Sequence, residues 1–173
     1  MHNAGHLINK QDGITLIELI IVVSVIAILV VTLGFEYRNW MGRYRVENQA
    51  KQMHADLMNA RARAMTMNRT HFLAWTTGSY TIYEDTNPAP DGNGTLEQDS
   101  DVPLPTYPKT VEYAIDWKGS GTHVSLDRRG MMTPEGSMRL TTTNDADYDC
   151  LTISRTRINM GKWNEDGASC VEK

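Results

Sequence analysis

The stretch QDGITLIELIIVVSVIAILVV, residues 11 to 31, sets the interpretation of the whole chain. From Ile14 to Phe35 the sequence carries one acid, Glu18, and neither a base nor a proline. A helix of about 22 residues is about 33 Å long, which is enough to cross a hydrocarbon core of about 30 Å. The remaining sequence is polar and mixed, so the 173 residues predict one membrane-inserted helix followed by one water-soluble domain.

Glu18 does not fit an ordinary membrane anchor, because a carboxylate inside lipid costs about 3 kcal/mol or more. An ordinary signal anchor explains the apolar run and leaves this acid unexplained. A secretory signal peptide would place a small residue after the apolar stretch, whereas Gly13 comes before it. Cleavage at Gly13 would keep the hydrophobic helix on the mature protein and create a free amino group on Ile14.

These residues resemble the class III signal of type IV pilins and type II secretion pseudopilins. The resemblance rests on Gly13, the following Ile-Thr-Leu-Ile-Glu and the long apolar run, all in register. It implies that a prepilin peptidase cuts after Gly13 and N-methylates Ile14. It also implies that Glu18 pairs with the amino terminus of a neighbouring subunit during filament assembly.

Two features differ from the family pattern. The leader, residues 1–13, is weakly basic, since Lys10 is offset by Asp12. Phe35, beside Gly34, stands where the family usually carries a helix-breaking proline. A glycine weakens a helix by only about 1 kcal/mol relative to alanine, so local melting of the helix is not strongly predicted.

A one-sided stripe continues the helix beyond the apolar run. Its apolar and small residues recur at alternating steps of four and three, as in an amphipathic helix, and they are Val46, Ala50, Met53, Leu57, Ala60, Ala64 and Met67. We therefore expect one long helix, with residues 14–35 in lipid or a filament core and residues 36–68 packed on a domain. The arginines beside the stripe indicate a solvated face, with a nucleic-acid stripe as the alternative.

Residues 69–173 change to the pattern of an antiparallel β domain. The predicted strands are rich in β-branched and aromatic residues and are bounded by turn residues: THFLAWTT, SYTIYED, TVEYAIDW, THVSLD, SMRLTTT and DCLTISRTRIN. The segment NARARAMTMNRTHFLAW resembles the GspH/FimT branch of the pilins. The resemblance implies an α+β pilin fold, with a long N-terminal helix packed on a C-terminal antiparallel sheet.

The loop DTNPAPDGNGTLEQDSDVPLPTYP separates the second and third predicted strands. Its oxygen-bearing side chains could bind calcium, and they are Asp85, Asn87, Asp91, Asn93, Glu97, Asp99 and Asp101. The EF-hand spacing is not met, and acidic turns without metal are common. The prediction is therefore no cofactor, with calcium as the open alternative.

Two cysteines, Cys150 and Cys170, occur late in the chain. In a translocated domain such a pair indicates a disulfide, whereas in a cytosolic protein the thiols would more often stay free. Because a membrane-inserted precursor is predicted, we expect the disulfide. It would close a loop of about twenty residues and add roughly 3 kcal/mol of stability in the chain-entropy model.

The segment SRTRINMGKW carries three bases, Arg155, Arg157 and Lys162. Ser-Arg-x-Arg resembles the Gly-Arg-x-Arg signature of the FimT branch, which is associated there with DNA binding during uptake. On a strand, Arg155 and Arg157 would share one face and could contact phosphates. The alternative is a strand edge that its bases protect from pairing. A net charge of −4 argues against a strong nucleic-acid site.

No nucleophile elbow, phosphate loop or zinc-ligand motif occurs, so an enzyme on a signal anchor is not favoured. The expected protein is a structural minor pilin or pseudopilin, with DNA binding for uptake as the alternative. Its precursor would span the bacterial inner membrane once, with the C-terminal domain in the periplasm. The expected partners are prepilin peptidase, other pilins in a helical filament, the inner-membrane assembly platform and membrane lipid, with DNA in the alternative.

Overall fold

The computed structural model describes residues 14–173, so the predicted leader and its cleavage residue Gly13 lie outside the described residues. The chain divides into a first compact unit that ends at Asn39 and a second unit, Trp40–Lys173. Helix α1, Leu16–Met67, begins in the first unit and ends in the second. By length and composition α1 could cross a membrane, since its most apolar window has a mean hydropathy of 3.1.

In the first unit, the side chains described between Ile14 and Asn39 are exposed. Two hydroxyl groups in this apolar segment are satisfied within the helix itself. Ser24 Oγ donates to the Ile20 carbonyl at 2.7 Å, and Thr32 Oγ1 donates to the Leu29 carbonyl at 3.0 Å. Between Ile14 and Phe35, Glu18 is the charged side chain.

The second unit contains eleven strands among its residues. They are β1 (His71–Trp75), β2 (Ser79–Glu84), β3 (Val102–Pro103), β4 (Lys109–Thr110), β5 (Ile115–Gly119), β6 (His123–Leu126), β7 (Met132–Thr133), β8 (Gly136–Leu140), β9 (Cys150–Ile153), β10 (Ile158–Asn164) and β11 (Ser169–Glu172). All their pairings are antiparallel. One sheet has the order β3-β2-β1-β6-β7 with β4 also on β2, and the other has the order β11-β10-β9-β8-β5. The predicted α+β pilin fold is confirmed.

The helix stripe forms one side of the core. Its buried members are Val46, Ala50, Met53, Leu57, Ala60 and Ala64. They pack in one cluster with apolar residues of both sheets, among them Leu73, Ile82, Val124, Leu126, Met138, Leu140, Leu151 and Ile153. Met67, the last predicted member, is 51% exposed because α1 ends there.

The prediction that TVEYAIDW forms one continuous strand is wrong, because the structure divides this segment between β4 and β5. At the break, Gln49 of α1 holds the backbone with its side-chain amide. Its Oε1 accepts from the amides of Glu112 and Tyr113 at 3.0 and 2.9 Å, and its Nε2 donates to the Tyr113 carbonyl at 2.7 Å. The helix thus replaces the hydrogen bonds that a neighbouring strand would supply.

Cys150 and Cys170 are joined by a disulfide that connects β9 with β11. Strand β10 pairs with both of these strands. Gly161 of β10 lies against the link, since a Cβ at this position would stand 2.2 Å from the Val171 carbonyl oxygen and 3.1 Å from Cys170 Sγ. Strand β11 pairs with β10 along its length, and its backbone comes closest to β10 where Gly161 has no side chain.

Candidate assembly and binding sites

The first turn of α1 places Thr15 and Glu18 in contact. The helix begins at Leu16, and the Glu18 amide donates to Thr15 Oγ1 at 3.3 Å. Thr-x-x-Glu at a helix start is the spacing of a capping box, in which the threonine caps and the glutamate faces back toward the cap. An acid in the first turn also interacts favourably with the positive end of the helix dipole. The Thr15 contribution was missed in the sequence, although this spacing before an apolar run is its signal.

Glu18 is exposed on the first unit, and Ile14 lies one residue before the capping threonine. Its carboxylate is therefore accessible at the start of the helix. The site suits a helix-to-helix contact between chains.

Two family models match the sequence. The model described as type II transport protein GspH matches residues 49–157, which is more than half of the chain. The chain belongs to the GspH family. The model described as the prokaryotic N-terminal methylation motif matches residues 8–34 of this GspH-family protein. Comparison with curated proteins gave no match, and comparison with solved structures gave none either.

These matches confirm the predicted resemblance to pilin-like proteins of the GspH type. The methylation motif fits a precursor anchored in the inner membrane by its apolar helix. Families of this kind supply structural subunits rather than enzymes, and they generally work without a cofactor.

The two C-terminal arginines of this GspH-family protein lie in a turn, so their predicted strand position is wrong. The Ser154 amide donates to the Arg157 carbonyl at 2.9 Å and closes the turn between β9 and β10. Arg155 and Arg157 are exposed in this turn. The turn is fixed to the first sheet, because the Met132 amide of β7 donates to the Arg155 carbonyl at 2.9 Å.

Lys162 does not join these arginines. It lies on β10 and forms an ion pair with Asp145. The hydrogen bond and charge of Lys162 lower the pKa of the Asp145 carboxyl below its ordinary range. The lysine is thus paired within its own chain, whereas the two arginines lie in the turn.

A neighbouring turn carries two arginines that sequence reasoning missed, Arg128 and Arg129. The Asp127 carboxylate shapes this turn by accepting from the amides of Arg129 and Met131, both at 2.8 Å. With Asn68 and Thr70, the three residues 127–129 line a surface cavity of about 460 Å³. The two adjacent arginines that follow the predicted strand THVSLD were the signal. The bond between Met132 and Arg155 brings this turn and the C-terminal arginine turn to the same part of the unit.

The acidic loop is organised by two buried carboxylates. Asp85 is 1% exposed, and it accepts from the amides of Asn93 and Gly94 at 3.2 and 2.7 Å. Asp101 accepts from the amides of Thr86, Asn87 and Glu97 at 3.0, 3.3 and 2.8 Å. Both side chains therefore use their oxygens to satisfy loop backbone.

The structure brings Asp85, Asn87, Asn93, Glu97 and Asp101 into one hydrogen-bonded loop, in which they bond to one another and to loop backbone. The side-chain amides of Asn87 and Asn93 donate to Glu97, and Asp91 and Asp99 are exposed. Among residues 14–173, no group of three or more His, Cys, Asp or Glu side chains is arranged to hold a metal ion. The geometry assigns this cluster a role inside the loop.

A polar cavity of about 170 Å³ beside α1 was also missed. Asp56 on its wall accepts from Tyr80 Oη at 2.6 Å and from Lys109 Nζ at 2.7 Å. Burial, reinforced by the Asp56 carboxylate, raises the pKa of Tyr80 and of Tyr107 above the ordinary value. The network fastens α1 to β2 and β4.

Proposed function

We propose that this GspH-family protein is a minor pilin or pseudopilin subunit. Its precursor spans the inner membrane once, with residues 40–173 in the periplasm. Prepilin peptidase cuts it after Gly13 and N-methylates Ile14. The inner-membrane assembly platform then moves it into a helical filament with other pilins, either a type IV pilus or a secretion pseudopilus. The observation that carries the proposal is Glu18, held by a helix cap at the start of an exposed apolar helix.

The physical argument begins with the apolar surface of residues 14–35. Large apolar side chains such as Ile17 and Leu29 are exposed, and water is not a favourable environment for so continuous a surface. Lipid covers it in the precursor, and the helices of neighbouring subunits cover it in a filament. The exchange is close to neutral for the apolar side chains, because lipid tails and packed helices are both apolar.

Glu18 makes the exchange from lipid to a filament favourable. In lipid its carboxylate is costly, and cleavage after Gly13 creates a positive amine on Ile14 of each subunit. Pairing Glu18 with the amine of a neighbouring Ile14 lets each charge compensate the other, which offsets part of the cost of keeping both away from water. The acid therefore favours the assembled state over the isolated subunit.

The disulfide between Cys150 and Cys170 supports the periplasmic placement. Disulfides persist in oxidising compartments and are rare in the cytosol. The proposed work is structural, and it requires neither an active site nor a bound cofactor.

The decisive experiment compares Gly13→Ala with Glu18→Gln in cells that make the filament. Gly13→Ala should leave uncut precursor in the membrane. Glu18→Gln should be cut and inserted normally and should enter filaments poorly, because the amide cannot neutralise the neighbouring amine. Normal incorporation of the Glu18 variant would remove this explanation of the residue.

A second candidate function is DNA binding by a minor pilin that takes part in DNA uptake. The bond between the Met132 amide and the Arg155 carbonyl favours it, because that bond fixes one arginine turn beside another. Arg128, Arg129, Arg155 and Arg157 would then contact phosphates, and Lys162 would not. Such binding would be weak and strongly dependent on salt, since phosphate contacts release counterions.

A further inference from the structure

Trp40 and Tyr44 form an exposed aromatic pair at the start of the second unit. Their rings are stacked, with centroids 5.8 Å apart and planes 16° apart, and the side chains are 59% and 48% exposed. One residue lies a helical turn after the other, so both rings stand on one face of α1. Tryptophan and tyrosine side chains combine an apolar ring with a polar N–H or O–H group. They are therefore enriched at the boundary between lipid and water, where both parts find a suitable environment.

The position of the pair along the sequence indicates which surface covers it. Trp40 follows Phe35, the last residue of the apolar run, by five positions. Five helical residues rise about 7.5 Å, and the polar layer on one side of a bilayer is about 5–8 Å thick. A helix that spans the hydrocarbon core with residues 14–35 would therefore place Trp40 in the headgroup layer.

Two loops of the second unit lie beside the same part of the helix. The Tyr113 hydroxyl donates to the Gly42 carbonyl at 3.5 Å, and Asn144 Oδ1 stands 2.5 Å from where a Cβ on Gly42 would be. Residues 40–45, 111–114 and 141–149 together are called the base of the unit. The base is the part of this unit that adjoins the end of the apolar run in the chain.

The exposed acidic side chains in the base of the unit form ion pairs with lysine and arginine side chains. Glu112 Oε1 is 3.2 Å from Arg45 Nη1, and Asp145 and Asp147 form ion pairs with Lys162 and Lys173. Bacterial inner membranes and vesicles that contain anionic lipid repel uncompensated carboxylates. The base presents acids whose charge is balanced within the chain, so it can approach such a surface without a large electrostatic cost.

We infer that the base rests on the bilayer surface and that the Trp40–Tyr44 pair inserts into the headgroup layer. This inference rests on the membrane insertion contained in the proposed function. The aromatic pair fixes the depth of the subunit in the membrane before assembly. A neighbouring subunit that covers the pair in a filament must displace lipid from it.

The test uses the full chain reconstituted into phosphatidylcholine vesicles. The vesicles contain lipid brominated either near the headgroup end or near the methyl end of the acyl chains. Bromine quenches nearby tryptophan, so the difference in emission between the wild-type chain and Trp40→Phe gives the depth of Trp40. Trp163→Phe is the matched control, because its indole is buried and its Nε1 has no hydrogen-bond partner among the described residues.

The Trp40 component should be quenched about twofold or more strongly by the shallow label than by the deep label. The Trp163 component should be quenched by neither. A Trp40 component that neither label quenches, or that the deep label quenches more, overturns the inference. Flotation of the same vesicles distinguishes failure of the proposed membrane insertion from failure of this inference. A chain that does not float with the vesicles contradicts membrane insertion itself. A chain that floats but whose Trp40 is not quenched contradicts only the insertion of the aromatic pair.

Discussion

Cys150 and Cys170 have Cα atoms 5.9 Å apart although their strands are separated by a third strand, β10. In a flat sheet, strands that are next but one to each other lie about 9.6 Å apart. The sheet must therefore curl sharply across β10, and it does so where Gly161 offers no side chain. The disulfide and the glycine act together, because the close approach of the two strands needs both.

Gly161→Ala should destabilise the second unit by about 2 kcal/mol, in the range usual for overpacking. The added methyl group would meet the backbone of Val171, which cannot turn away as a side chain can. Thermal unfolding of the purified chain in detergent measures the effect. Gly78→Ala is the matched control, since a Cβ there meets nothing within 4 Å. Equal melting temperatures for the two alanine variants would contradict this account of the disulfide.

Thr15→Val should loosen the first turn of α1. Loss of a threonine cap costs about 1 kcal/mol, which corresponds to roughly fivefold faster hydrogen exchange at the Glu18 amide. Thr15→Ser keeps the hydroxyl and should keep the wild-type rate. Exchange is measured by NMR on the chain in micelles. An unchanged rate in Thr15→Val would show that the bond between Thr15 and Glu18 does not stabilise the helix start.

The two arginine turns give separable predictions for DNA. Arg128→Gln/Arg129→Gln and Arg155→Gln/Arg157→Gln should each weaken duplex binding and lower the salt dependence by about 1.8 in log–log slope, for two lost phosphate contacts. Lys162→Gln should change the slope little, because that lysine is paired with Asp145. Fluorescence anisotropy over a salt series provides the slopes. Equal, weak binding by all of these chains at physiological salt would exclude the DNA function.

His71 should make the stability of the second unit depend on pH. The side chain is fully buried, and burial lowers its pKa below the ordinary 6.5. Below pH 6.5 the unfolded chain takes up a proton that the folded chain does not, so stability falls as the pH falls toward the folded pKa. Above pH 6.5 this contribution is fully present.

The variant His71→Asn removes the titrating group. At about pH 7.5 its free energy of unfolding should be lower than that of the wild type, because packing is lost. As the pH falls to about 5.5 the wild type loses stability and the variant does not, so the difference in free energy between them should narrow. Urea unfolding at several pH values in that range provides the comparison. A gap that stays constant across the range would mean that His71 does not carry the pH dependence.

The long helix, the sheet domain and the family were predictable because each depends on a local pattern. The apolar run and the stripe from Val46 to Ala64 repeat with helical spacing, and burial follows that spacing. The register of Gly13, Ile14 and Glu18 is likewise a short, local pattern.

The features that could not be predicted depend on contacts between distant residues. Nothing near TVEYAIDW shows that Gln49 interrupts it, since the bonded residues are separated by 63 and 64 positions. The position of the Arg155 turn depends on the hydrogen bond that its carbonyl accepts from Met132 of the other sheet. Lys162 was grouped with the arginines because it is close in sequence, and its pairing with Asp145 is visible only in the fold.

The side chains of Gln49 and Asp56 have a consequence for insertions and deletions. Both lie on α1, and together they hold the segment Lys109–Tyr113 at its two ends. The helix, rather than any local turn, therefore sets the length of that segment, and one added residue would separate two sets of polar atoms from their partners. An epitope tag or linker inserted there should abolish folding, whereas the exposed turn at residues 165–168 should accept one.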